Sequence, residues 1–110
     1  MKRRSDRNHI IYELQAPDGR RYIGLTAITK SAKKSLEMRW KRHVYYAEVM
    51  QGNGLLQEAI RQHRDSITHR IIEKVRGKQN AHDLERRLIK ETMPELNIEC
   101  TNKKKRGTRI

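Results

Sequence analysis

The chain has no phenylalanine, one tryptophan, one cysteine and two prolines in 110 residues. Without Phe, a core must be filled by Leu, Ile, Val, Met and some of the four tyrosines. A chain of this length buries roughly 60–70% of the surface its unfolded form exposes, which supports one modest core and one domain. The lone Cys100 excludes an internal disulfide, and with no His close to it in sequence it makes no zinc cluster. No apolar stretch approaches the length of a membrane span. The basic start Met1-Lys2-Arg3-Arg4 is not followed by a hydrophobic run, so it does not read as a secretory signal. The expected location is intracellular: cytoplasm, nucleoid or a host's cytoplasm.

Acidic residues are also scarce. Thirteen Asp and Glu face 26 Lys and Arg, a formal charge of +13. That excess attracts polyanions over long range, nucleic acid first and anionic membrane second. Membrane binding asks for a long amphipathic helix with aromatic anchors. The helices expected here are short, with apolar stripes of the core kind. Nucleic acid is therefore the expected partner, with no membrane. A basic surface kept for solubility is the alternative.

Residues 1–8 read as a basic arm. His9 to Leu14 is rich in strand formers, Ala16-Pro17-Asp18-Gly19 has turn chemistry, and Arg20 to Leu25 reads as the returning strand of a hairpin. A helix fits about 35–50, with Leu36, Trp40, Val44, Ala47 and Met50 on one face. Gln51 to Gly54 breaks it. A second helix fits about 55–63, with Leu55, Leu56, Ala59 and Ile60 inward. Ser66 to Val75 alternates imperfectly around Ile67, Ile71 and Val75 and reads as a third strand. A third helix fits about 81–92, with Ala81, Leu84, Leu88 and Ile89 inward, and ends before Pro94. Leu96 to Ile98 reads as a short extended segment, and residues 99–110 as a basic tail. The expected fold is α+β: a small three-stranded antiparallel sheet flanked by helices, in the order β-β-α-α-β-α.

Polar side chains that fall where core residues belong are the candidates for chemistry. On the third helix the wheel puts Glu85 inside the arc of Ala81, Leu84, Leu88 and Ile89, where an unpaired carboxylate is costly. A rim Glu paired with an Arg is the alternative. On the first helix His43 falls on the apolar arc, Arg39 lies one position outside it, and Tyr46 lies beside Arg39. Arg39 and His43 are four apart, so one ligand can touch both. A satisfied core His with an Arg reaching to solvent is the alternative. Tyr12 and Tyr22 sit on the two hairpin strands, near neighbours across the pair.

These residues resemble the GIY-YIG endonuclease family. Ile10-Ile11-Tyr12 and, after the turn, Tyr22-Ile23-Gly24 resemble its paired signatures. Arg39-Trp40-Lys41-Arg42-His43 resembles its arginine-bearing helix. Leu84-Glu85 followed by Leu88-Ile89-Lys90 resembles the helix with its metal-binding glutamate, and Leu96-Asn97 its late asparagine. The likeness spans residues 9–98, the expected nuclease domain. Ile10 replaces the first glycine. The stretch before the second helix, Gly52-Asn53-Gly54, lacks the histidine of some members, which leaves His43 as the histidine for a proton or phosphate role. An imidazole one turn after the arginine also occurs in restriction-type members. Family homing enzymes often carry a separate DNA-binding domain, for which 110 residues leave no room.

The resemblance implies a single divalent cation on Glu85, Mg²⁺ or Mn²⁺, Arg39 donating to the non-bridging phosphate oxygens, and Asn97 supporting the site by hydrogen bonding. It implies that Tyr12, with Tyr22, orients or deprotonates the attacking water. That role needs a phenol pKa below its usual value near 10, the direction in which neighbouring Arg and metal charge push, or a water relay. Arg20, Arg21, Lys41, Arg42, Lys103, Lys104, Lys105 and Arg106 are expected along the DNA backbone. One metal site cuts one strand, so a double-strand break calls for a homodimer or two events, and a partner can supply targeting. The rivals are a non-catalytic nucleic-acid-binding protein with the same fold, and a small basic protein that binds a protein partner.

Overall fold

The computed structural model describes residues 7–52 and 54–97. Strands β1 (Asn8–Gln15) and β2 (Arg21–Ala27) form the expected hairpin. Its turn closes through hydrogen bonds from Gly19 N to Ala16 O and from Ala16 N to Arg20 O, both 2.9 Å. Gly19 has φ of 97°, a conformation that glycine adopts without strain. Strand β3 (Thr68–Arg76) pairs with the other edge of β1, giving an antiparallel sheet of order β2-β1-β3.

The register slips between Ile11 and Tyr12. Ile11 faces Glu73 but Tyr12 faces Ile71, so Ile72 is an extra residue in β3. This bulge explains the imperfect alternation of that stretch, since an inserted residue breaks a period of two. Ile67 is buried just ahead of the strand, whereas Ile71 is exposed.

Helices α1 (Ala32–Glu48) and α2 (Leu55–His63) cover one face of the sheet. Their Leu36, Ala47, Leu56, Ala59 and Ile60 form one buried cluster with Ile10, Tyr12 and Leu14 of β1. Helix α1 begins three residues before the expected start because Ser31 caps it, its hydroxyl accepting from Lys34 N at 3.1 Å. Its end is earlier too. Met50, expected inward, lies past Glu48 and is 59% exposed. Helix α3 (Lys78–Thr92) packs against all three strands with Ala81 buried. It covers the other face, where Ile11 and Ile23 point. Central β1 is consequently buried from Ile10 through Leu14. The α+β architecture and the β-β-α-α-β-α order stand as expected.

Leu96 and Asn97 are not extended. Residues 95–97 form a helical turn, with Asn97 N donating to Pro94 O at 3.1 Å. Met93 closes α3 in the left-handed conformation (φ 50°), and Pro94 then opens a new turn, a position where its missing N–H costs nothing. Ile98, the arm through residue 6 and the basic tail lie outside the described residues. Among the described residues no helix is long and apolar enough to cross a membrane.

Candidate active site

Tyr12 lies midway along the central strand, at the bulge, fully buried and facing α1. Its phenol is 2.8 Å from Nε2 of His43, itself only 8% exposed. Opposite Tyr12 on β2 stands Gly24. A Cβ built there would overlap the phenol oxygen, so this glycine is what allows the Tyr12 ring to lie across the neighbouring strand. We expect Gly24→Ala to destabilise the fold by about 1–3 kcal/mol, the usual cost of overpacking. Chemical denaturation checks this, and unchanged stability would contradict the close approach.

Tyr22 sits diagonally from Tyr12, opposite Leu14, on the same sheet face. Its ring is 6.3 Å from that of Tyr12 and meets His43 edge-on at 5.5 Å. Helix α1 is held in rotation by Trp40, whose ring packs 4.3 Å from His69 of β3. With that side fixed, Arg39 and His43 are presented to the tyrosines.

Burial pushes the Tyr12 hydroxyl above the ordinary phenol range, and the Arg39 guanidinium beside it pulls less strongly the other way. This reverses the expected direction. The reason is that α1 seals the phenol from water, and removing an anion from water outweighs one nearby cation. Burial likewise pushes His43 down to about 4, helped by the charges of Arg39 and Arg42. Near neutral pH the pair is therefore a neutral phenol and a neutral imidazole joined by one hydrogen bond, whose donor is set by the imidazole tautomer.

A neutral buried imidazole has a consequence for stability. An unfolded His binds a proton near pH 6.5, whereas the folded one resists until about 4. Between those values the unfolded state holds more protons, so stability is lost as pH falls through that window, by roughly 3 kcal/mol for this group. The check is an NMR titration of the imidazole, and a pKa near 6.5 would contradict this account.

Glu85 projects from α3 with 20% of its side chain exposed. Burial raises its pKa against the pull of His82, Arg39 and Arg86, and it in turn acts on Tyr12, so it lies within electrostatic reach of the cluster. Among the described residues no Lys or Arg forms an ion pair with it; His82 Nδ1 stands 3.8 Å away. Sequence reasoning passed over His82, although its spacing of three from Glu85 on one helix face was the available signal.

Among the described residues, no three His, Cys, Asp or Glu side chains gather into a preformed metal cage. A single desolvated carboxylate suits a hard cation that keeps most of its waters. Mg²⁺ commonly binds through one or two carboxylates and completes its shell with water and phosphate oxygens.

Asn97 acts at the outer edge of the sheet. Its Oδ1 accepts from Ile23 N at 2.8 Å and its Nδ2 donates to Ile23 O at 3.0 Å. It thereby satisfies the free edge of β2 between Tyr22 and Gly24.

The expected backbone contacts are differently placed. Arg20 pairs with Asp18 at 2.9 Å, and Arg21 reaches the buried Glu13 at 3.6 Å, which Arg70 also holds. Lys41 lines a depression with Trp40, Val44 and Arg64 that includes no residue of the cluster. Arg42 lies one turn beyond Met38 on the exposed side of α1. Lys103, Lys104, Lys105 and Arg106 lie outside the described residues.

The chain matches no protein-family model, no curated protein and no solved structure.

Proposed function

We propose that this chain is a metal-dependent endonuclease of the GIY-YIG type, hydrolysing phosphodiester bonds in DNA with low sequence specificity or with specificity for DNA structure. One observation carries the reading. Tyr12, Tyr22, Arg39, His43 and Glu85 come from two strands and two helices, yet they share one electrostatic neighbourhood on a chain of charge +13.

Glu85 would hold Mg²⁺, or Mn²⁺ in its place. When bound, such an ion supplies Lewis acidity at the scissile phosphate. The chain's own residues do the rest. Arg39 donates to non-bridging oxygens as their charge grows. The phenol is buried, so the attacking water reaches the Tyr12 oxygen only when bound DNA moves α1 off it; the oxygen then accepts a proton from that water while its own proton passes to Nε2 of His43. Because the phenol stays protonated, this relay takes the place of a free phenolate. A phosphate against Arg39 and Arg42 offsets two of the cations that hold the His43 pKa down, which makes the imidazole a better acceptor once substrate is bound. Tyr22 braces the imidazole edge-on, and Asn97 holds the strand bearing Tyr22.

Incubation of the purified chain with supercoiled plasmid and Mg²⁺ tests the reading. Nicking that EDTA abolishes supports it. Tight, salt-sensitive binding with no cleavage of plasmid or branched DNA would favour a non-catalytic nucleic-acid-binding protein. Each copy cuts one strand, so double-strand breaks would require a homodimer or successive nicks, and a partner could supply targeting.

The tail adds a separate expectation from its charge. Removing residues 101–110 should weaken DNA binding and flatten its salt dependence, since each lysine or arginine on a phosphate contributes to the slope. An unchanged slope would remove the tail from the DNA contact.

A further inference from the structure

Beside the catalytic cluster, a cleft of about 200 Å³ opens between α1 and the end of β2. Its polar wall consists of Thr26, Thr29, Ser35, Arg39 and Arg42, and no carboxylate lines it. Thr26 continues the Tyr22–Gly24 face of β2, while Ser35, Arg39 and Arg42 form one stripe along α1. The cleft therefore begins at the reacting residues and leads away from them.

Arg20, Arg21, Arg64, Arg70 and Arg86 pair with carboxylates. Arg39 and Arg42, like Arg7, Arg61, Arg76 and Arg87, form no ion pair with a carboxylate among the described residues, but of these six only Arg39, which also hydrogen-bonds the Tyr12 phenol, and Arg42 line this cleft. Nε of Arg39 is buried with no hydrogen-bond partner. A buried donor left unpaired is costly, and it marks a place where an acceptor is expected from outside the chain. The remaining donors suit the same acceptor. The Ser35 oxygen accepts from Thr29 N at 3.1 Å, which pins the loop and leaves its O–H free to donate into the cleft.

We infer that this cleft is a second phosphate subsite, holding a non-scissile backbone phosphate of the cut DNA strand between Arg39, Arg42 and the hydroxyls of Thr26 and Ser35. The inference rests on the nuclease reading for the identity of the strand, but the subsite itself requires only a phosphate. Arg39 is then shared between the scissile and the neighbouring phosphate, and Arg42 serves the neighbour alone. The strand's path is set along α1, from Glu85 and Tyr12 toward the β2–α1 loop.

Two measurements on the full chain test this. In the first, inorganic phosphate is titrated while the Nε–H resonances of the arginines are followed by NMR. Those of Arg39 and Arg42 should move together, and Arg42→Ala should weaken the response of Arg39. No movement of either, or equal movement of all arginines, would overturn the subsite whatever the DNA substrate proves to be. In the second, DNA duplexes carry one neutral methylphosphonate at successive positions around the cut. One non-scissile position should weaken wild-type binding about tenfold, the loss of a charge-assisted contact. That same substitution should have no further effect on Arg42→Ala. Interference that persists undiminished in Arg42→Ala would overturn the assignment. Failure to cut unmodified DNA, with the phosphate response intact, would sink the nuclease reading and leave the subsite standing.

Discussion

Glu85→Ala is expected to abolish metal-dependent cleavage while leaving DNA binding as tight as in the wild type. The two halves have separate causes. Among the described residues Glu85 is the only carboxylate that acts on the Tyr12 phenol, so none of them replaces it as a metal ligand. Removing a negative charge from a chain of charge +13 cannot weaken its attraction to a polyanion. Nor should the fold suffer. Burial disfavours the charged carboxylate, and alanine is the better helix former. Thermal stability equal to or above wild type is therefore part of the expectation. It separates lost chemistry from lost structure. Cleavage by Glu85→Ala at a rate comparable to wild type would remove this residue from the metal site.

Tyr12→Phe should slow cleavage by roughly 10²–10⁴-fold, the usual range for a positioned proton-transfer group. The phenyl ring keeps the packing of a fully buried side chain against Gly24 and the core. What it loses is the oxygen hydrogen-bonded to His43. Stability should fall by about 1–3 kcal/mol, because the buried His43 Nε2 is left without its partner. Single-turnover cleavage set against anisotropy-measured binding distinguishes the cases. A loss confined to binding would mean that Tyr12 packs and does not react.

How far the sequence carries this account differs from residue to residue. The hairpin was legible because Pro17, Asp18 and Gly19 restrict the backbone locally. Helix α2 was legible to the residue, bounded by a glycine-rich break and a tight apolar stripe. Glu85 and His43 stood out because a helix wheel is local geometry, and both are withdrawn from solvent as the wheel implied. The properties that depend on distant segments were not legible. The β3 bulge is set by pairing across the sheet. The pairing of Arg21 with Glu13 depends on the strand register and the sheet face. The upward shift of Tyr12 depends on how completely α1 covers it. Asn97 was expected to support the site by hydrogen bonding. That its partner is the open edge of β2, and that a left-handed Met93 swings it there, emerged only from the fold.

The account stands on one cluster acting as a unit, and a side-by-side assay of wild type, Tyr12→Phe, Arg39→Ala and Glu85→Ala measures that most directly. Each protein is given the same DNA and Mg²⁺, and its cleavage rate is recorded beside its binding affinity. The account predicts metal-dependent cleavage by wild type, severe loss in all three variants, and DNA binding retained in Tyr12→Phe and Glu85→Ala. Cleavage by wild type that persists in EDTA, or survives in any of the three variants at the wild-type rate, would contradict it.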